Sequence, residues 1–172
     1  MIVEDGSNVL NANSYLSVEY ADEYFALYGQ LDWTGEITDK EQALIIATRA
    51  IDLLYRDQFM SYKLVDSKNE LAFPRYAFYD NLYIYHSNKD IPKSLKDATA
   101  EIALMVLSGI DVFPKPSTEA YVKSSTVEID VLKFVSEYRT TPPAERYSGF
   151  NKVELILKPI TKAKKTTLTL HR

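Results

Sequence analysis

One stretch constrains this chain more than any other, residues 90–109. Pro92 sits where the first turn of a helix tolerates proline, because that amide needs no intrahelical partner. Leu95, Ala98, Ile102, Met105 and Val106 then recur at helical spacing, with Ile91 leading in, while Lys93, Lys96, Asp97 and Glu101 fall on the other faces. Gly109 supplies a left-handed stop, and Pro114 and Pro116 prevent resumption. The spacing predicts a helix over 92–108 with one face built for burial, so another element must cover it.

The natural partner is a helix over about 39–56. Thr38-Asp39-Lys40-Glu41 has the form of a capping box, Thr at the N-cap and Glu three residues on. Leu44, Ala47, Thr48, Ile51, Leu54 and Tyr55 follow at helical spacing, and Ile45 and Ile46 widen the apolar face. A shorter helix over about 18–28 has Ser17 as N-cap, Glu19 near the positive end of the dipole, a stripe of Val18, Ala21, Phe25 and Tyr28, and Gly29 as its end. Two long amphipathic helices with a shorter third make a small α-bundle core.

The rest is less regular. Residues 1–16, with Glu4, Asp5, Gly6, Asn8, Asn11 and Asn13, read as an irregular arm with a short extended piece at Ile2–Val3. Trp33 lies in the connector 30–37. Residues 57–90 carry Leu71-Ala72-Phe73-Pro74-Arg75 and then Tyr76, Phe78, Tyr79, Tyr83 and Tyr85. That span is too long for an idle loop and is expected to fold onto something, with Leu82–Tyr85 as a brief strand. Beyond Pro116 the period changes. Thr126–Val131 alternates as a half-buried strand does, with Val122–Ser124 as its hairpin partner, and 132–139 reads as strand or short helix. Thr140-Thr141-Pro142-Pro143 is a break, and Val153, Ile156, Leu157 and Ile160 predict a last helix around 150–158 closed by Pro159. The predicted fold is mainly α: an arm (1–16), a helical bundle core (17–116), a β-hairpin-like or irregular excursion (117–147), and a short helix with an extended basic tail (148–172).

The chain's 172 residues fit one domain. There is no cysteine, so thiolate metal sites and cysteine nucleophiles are excluded. His86 and His171 lie far apart and read as a solvated loop histidine and a tail histidine. Paired carboxylates such as Asp22/Glu23 and Asp39/Glu41 sit at helix starts, where dipole compensation explains them. The five glycines form no phosphate-cradling loop. We therefore expect no catalytic, metal or cofactor site, and the N-terminus and hydropathy predict neither a signal peptide nor a membrane span. Charge is unevenly placed. Residues 158–172 hold Lys158, Lys162, Lys164, Lys165 and Arg172 without an acid, whereas residues 1–157 hold fifteen basic against twenty-four acidic side chains. With a net charge of −4, the whole chain is a poor polyanion binder on average. Arg75, Tyr76, Tyr79 and Tyr83 are the candidates for subunit or nucleic-acid contact, since interleaved aromatics and cations make stacking platforms.

These residues also carry a resemblance. Met1–Gly6, Asn11-Ala12-Asn13-Ser14-Tyr15, Ser17-Val18, Ala21–Phe25, then Ala43, Leu44, Ala47, Thr48 and Asp52, Leu71–Arg75, and Ile91-Pro92 with Leu95, Lys96, Ala98 and Glu101 resemble the tailed-phage proteins described as DnaT-like and single-stranded-DNA-binding. Where those proteins usually have Trp before Pro-Arg, this chain has Phe73. The resemblance spans about residues 1–110. In helix order it extends to phage head-tail connectors, which implies a structural virion protein of the neck, made in the host cytoplasm. Such a protein would form a cyclic, twelve-fold homo-oligomer below the portal and contact portal protein, a tail or nozzle protein and packaged DNA. Under that reading Lys158, Lys162, Lys164, Lys165, Thr167, Leu168, Leu170 and Arg172 would dock on the portal or a neighbouring subunit. The overall acidity, the wealth of tyrosine and the arms of opposite character favour this connector reading, with single-stranded DNA binding in phage replication as the alternative.

Overall fold

A computed structural model describes residues 1–113 and 148–162, together with the backbone of two short strands at 122–126 and 135–138. The fold is mainly α. Helix α1 spans Val18–Leu27, α2 Ile37–Tyr55, α3 Lys93–Leu107 and α4 Ser148–Leu157, the last running into a 3-10 turn at Lys158–Ile160. Between α2 and α3 a small antiparallel hairpin pairs β1 (Phe78–Tyr79) with β2 (Tyr85–His86), in register Phe78 to His86 and Tyr79 to Tyr85. Between α3 and α4, β3 (Val122–Thr126) pairs antiparallel with β4 (Val135–Tyr138).

Helix α3 is the axis. It packs against α2 on one side and α4 on another. Its buried residues are Leu95, Ala98, Thr99, Ala100, Glu101, Ile102, Ala103 and Met105, more than the single stripe its periodicity predicts. Small side chains at 98, 100 and 103 suit a helix covered from two sides, since they let neighbouring backbones approach. Thr99, polar in this setting, returns its hydroxyl to the Leu95 carbonyl at 2.8 Å. Glu101, expected on an outer face, is buried; it accepts from the Tyr24 hydroxyl at 2.8 Å and pairs with Lys152 of α4 at 2.6 Å. Gly109 follows α3 with φ +76°, as its place after the helix required.

Ser17 caps α1 by accepting from Tyr20 N. The capping box at Thr38 is not formed. Helix α2 begins two residues earlier, with Glu36 at the N-cap and Thr38 already inside the first turn. Glu41 instead lies 3.6 Å from the Met1 amino group. The strand partners beyond 116 also differ from the expectation. Val122–Thr126 forms one continuous strand and pairs with 135–138, so no turn separates Ser124 from Thr126, and 135–138 is strand rather than helix. Residues 127–131 lie outside the described residues.

Residues 1–16 are irregular but packed. Val3 bridges Ser14 in parallel, and Tyr15 and Leu16 are fully buried. Glu4 is buried too, and its carboxylate accepts the N–H groups of Gly6, Asn8 and Val9 and the Asn69 amide. A second knot joins distant parts of the chain. The Tyr15 hydroxyl donates to Asp52 Oδ1 at 2.5 Å and accepts from Ala72 N at 2.9 Å, while Asp52 Oδ2 accepts from Ala72 N at 2.8 Å. Burial raises both the Asp52 carboxyl and, more strongly, the Tyr15 phenol; hydrogen bonds from Tyr15 and Ala72 and the Arg56 charge partly oppose the rise at Asp52. The knot fixes the 71–75 segment, whose Phe73–Pro74 bond is cis, against the core.

Candidate nucleic-acid interface

The four residues expected to offer contact separate into two kinds. Arg75 is not available. It is 7% exposed, its guanidinium donates to the carbonyls of Ala72 and Ser61, and it lies within 6 Å of the Phe59 and Phe73 ring centres. Its cation holds a loop together, which the sequence Phe-Pro-Arg does not disclose. Tyr76, Tyr79 and Tyr83, by contrast, are all exposed, with Tyr85 and Tyr62 beside them. Phe78, on the opposite side of β1, is half-buried and packs on the core, so the alternation of a strand sends one aromatic inward and its neighbours out.

Asp80 builds the turn of this hairpin. Its backbone N–H donates to the Ile84 carbonyl, and its Oδ1 accepts from the N–H groups of Leu82 and Ile84, each at 2.8 Å. Its Oδ2 lies 3.2 Å from His86 Nε2. Burial would raise the Asp80 carboxyl, but these donors hold it below its ordinary value. His86 is therefore not the solvated loop residue expected; it is half-buried and stacked on Phe78 at 5.1 Å. Tyr83 closes the turn, its N–H donating to the Asp80 carbonyl at 3.0 Å. It does so at φ +61°, a conformation suited to Gly or Asn and costly for an aromatic residue. Its side chain is 89% exposed, so the fold gains almost nothing from the ring. Across the strands Tyr79 and Tyr85 lie 5.3 Å apart, centre to centre.

The first cations of the basic tail start beside this hairpin. Asn81, in the turn, donates from its side chain to the carbonyls of Lys158 and Thr161 and from its backbone to Pro159. Thr161 bridges Phe59, and Lys162 N donates to the Gln58 carbonyl at 2.7 Å. Lys158 and Lys162 are thus held beside the hairpin turn, both exposed, with the Lys162 ammonium donating to the Asp57 carbonyl at 3.1 Å. Lys164, Lys165, Thr167, Leu168, Leu170 and Arg172 lie outside the described residues. Among the described residues no group of three or more histidine and carboxylate side chains could hold a metal ion, and no helix is long and apolar enough to cross a membrane.

Fold and surface together define a small helical domain that displays a strained tyrosine hairpin next to two lysines. Over residues 1–172 the chain matches the model of the family described as "Putative DnaT-like ssDNA binding protein". It belongs to that family. No curated protein and no solved structure matches it. The family match extends through the whole chain, beyond the first 110 or so residues that carried the resemblance, and it overturns the connector reading. Nothing in the comparisons supports likeness to head-tail connectors, so the neck and portal-binding roles inferred from that likeness fall with it. The physical argument behind them relied on average charge, whereas a polyanion meets a local field, and here the cations collect at one end.

Proposed function

We propose that this protein binds single-stranded DNA through the 76–85 hairpin and the lysines beside it. The observation that carries the reading is Tyr83, an aromatic residue kept in a left-handed turn position with its ring in solvent. Backbone strain without a packing return is characteristic of residues held for contact with something else. Unpaired bases stack on exposed aromatic rings regardless of sequence, and neighbouring cations take the phosphates. A duplex hides its base faces, so the same surface discriminates against it. The family description is in accord with this reading.

The test is a titration of a labelled single strand and of its duplex, followed by fluorescence anisotropy. The single strand is expected to bind more tightly at every salt concentration. Its affinity should fall with salt, and replacing Lys158 and Lys162 with Ala should lower the log–log slope by about 1.4, since each phosphate neutralised on a single strand contributes roughly 0.7. Equal affinity for duplex and single strand, or no saturable binding at low salt, would refute the proposal.

A further inference from the structure

Beside the hairpin lies a groove of about 730 Å³, bounded by the end of α2, the hairpin turn, α4 and the segment after it. Tyr55 is buried within its lining, and Gln58, Asn81, Glu154, Lys158 and Lys162 supply polar groups. Its volume is within the range of small-ligand clefts, about 300–1,000 Å³. Asn81 belongs to both features, since it stands in the turn between Tyr79 and Tyr83 and also lines the groove. A strand that stacked on the tyrosines and continued past Asn81 would meet this opening.

The amides in the lining are already oriented. Asn81 Nδ2 donates to Lys158 O at 2.8 Å and Thr161 O at 3.0 Å, which uses both of its hydrogens. Gln58 Nε2 donates to Leu54 O at 2.8 Å. What Asn81 has left to offer a ligand is its carbonyl oxygen, and the Gln58 amide is turned by the same kind of anchor. The Glu154 carboxylate lies in the same lining. The Asn81 carbonyl is thus an acceptor offered by the lining, which also includes Lys158 and Lys162.

Resting on the single-strand reading above, we infer that this groove seats a nucleobase and selects for an exocyclic amine. Cytosine presents an N4 amine, a donor; thymine and uracil present O4 there, an acceptor. An O4 placed against the Asn81 carbonyl has no hydrogen between the two oxygens, and both lose water without compensation. Cytosine gains a hydrogen bond at the same place. Lys158 and Lys162 hold the flanking phosphates, so the groove adds base choice to an otherwise sequence-tolerant surface.

The experiment compares labelled oligodeoxycytidine and oligodeoxyuridine of equal length, by anisotropy at one salt concentration and mildly alkaline pH, on the full chain. These differ in the hydrogen-bonding edge and not in methylation or ring size. Oligodeoxycytidine should bind about fivefold more tightly for one seated base. Leu155, at the groove and 68% exposed, is the place to fill it. Leu155→Trp, checked for folding by its thermal transition, should bring the two affinities together by weakening the cytidine strand alone. Equal binding of the two strands by the unaltered protein, or a cytidine preference that survives Leu155→Trp, overturns the groove and leaves the tyrosine platform standing. Binding of neither strand overturns the platform and the groove together.

Discussion

Tyr83→Gly separates what the hairpin does for the fold from what it does for a ligand. The left-handed backbone at Tyr83 costs an L-residue about 1–2 kcal/mol, which glycine does not incur. Glycine's greater freedom in the unfolded chain returns about 0.5–1 kcal/mol of that gain. The Tyr83 ring is 89% exposed, so its removal forfeits only a few tenths of a kcal/mol of burial at about 25 cal/mol per Å². The variant should therefore be between unchanged and about 1 kcal/mol more stable, a rise of up to about 4 °C in melting temperature for a domain of this size. Single-strand affinity should move the other way, because one stacking platform is gone. At about 1–3 kcal/mol that is about 5- to 150-fold. Urea denaturation reads the first quantity and anisotropy the second, with Tyr83→Phe as the control that keeps the ring. A loss of stability above about 1 kcal/mol would mean that the ring packs on the fold. Unaltered affinity would mean that it is not the stacking surface.

Tyr15→Phe removes a hydroxyl that serves Asp52, Ala72 and Phe73 at once, and should cost about 2–4 kcal/mol by urea denaturation, because a buried carboxylate and an N–H lose a partner; a cost below about 0.5 kcal/mol would contradict the knot. The folded-state pKa of Asp52 is raised by burial, so the folded state binds its proton more tightly than the unfolded state does. Its contribution to stability is present below the unfolded value of about 3.9 and is lost as pH climbs through the raised folded value. Relative to Asp52→Asn, which has no such titration, the wild type should therefore lose ground as pH rises through that window, and a widening advantage would refute the assignment. Gly6→Ala would place a Cβ 1.7 Å from the Lys89 carbonyl oxygen at a backbone φ of +100°, and should lower stability by more than about 2 kcal/mol in thermal unfolding.

The helices were legible because burial on one side writes a 3.6-residue period into the chain, and 18–28, 39–56 and 92–108 follow it closely. Glu101 was misread for the reason that makes it interesting. A carboxylate at an outer position of the pattern reads as solvated unless the partners Tyr24 and Lys152 are known, and they lie 77 and 51 positions away. Thr38 shows the weakness of a four-residue cap signal, since the helix starts two residues earlier and leaves it inside the first turn, off the N-cap. In the candidate interface the exposed tyrosines could be named from composition, but Arg75 could not be told from a ligand-binding cation. Its place between Phe59 and Phe73 depends on a bend of the chain through the Tyr15 and Asp52 knot. The left-handed turn at Tyr83 had no signal at all, because the usual mark of such a position is a glycine or asparagine. Much of the motif behind the family resemblance, Tyr15, Asp52 and Ala72 among it, is occupied in holding the fold together.

That internal role has a consequence in time. Glu4 waits for Asn69, and Tyr15 waits for Asp52 and then Ala72, partners that leave the ribosome tens of residues later. The segment made early is thus among the last to settle, and until then its apolar side chains are open to chaperones and proteases. A pause in translation while Asn69 is still inside the ribosome should prolong that vulnerability more than a pause after Arg75 has emerged.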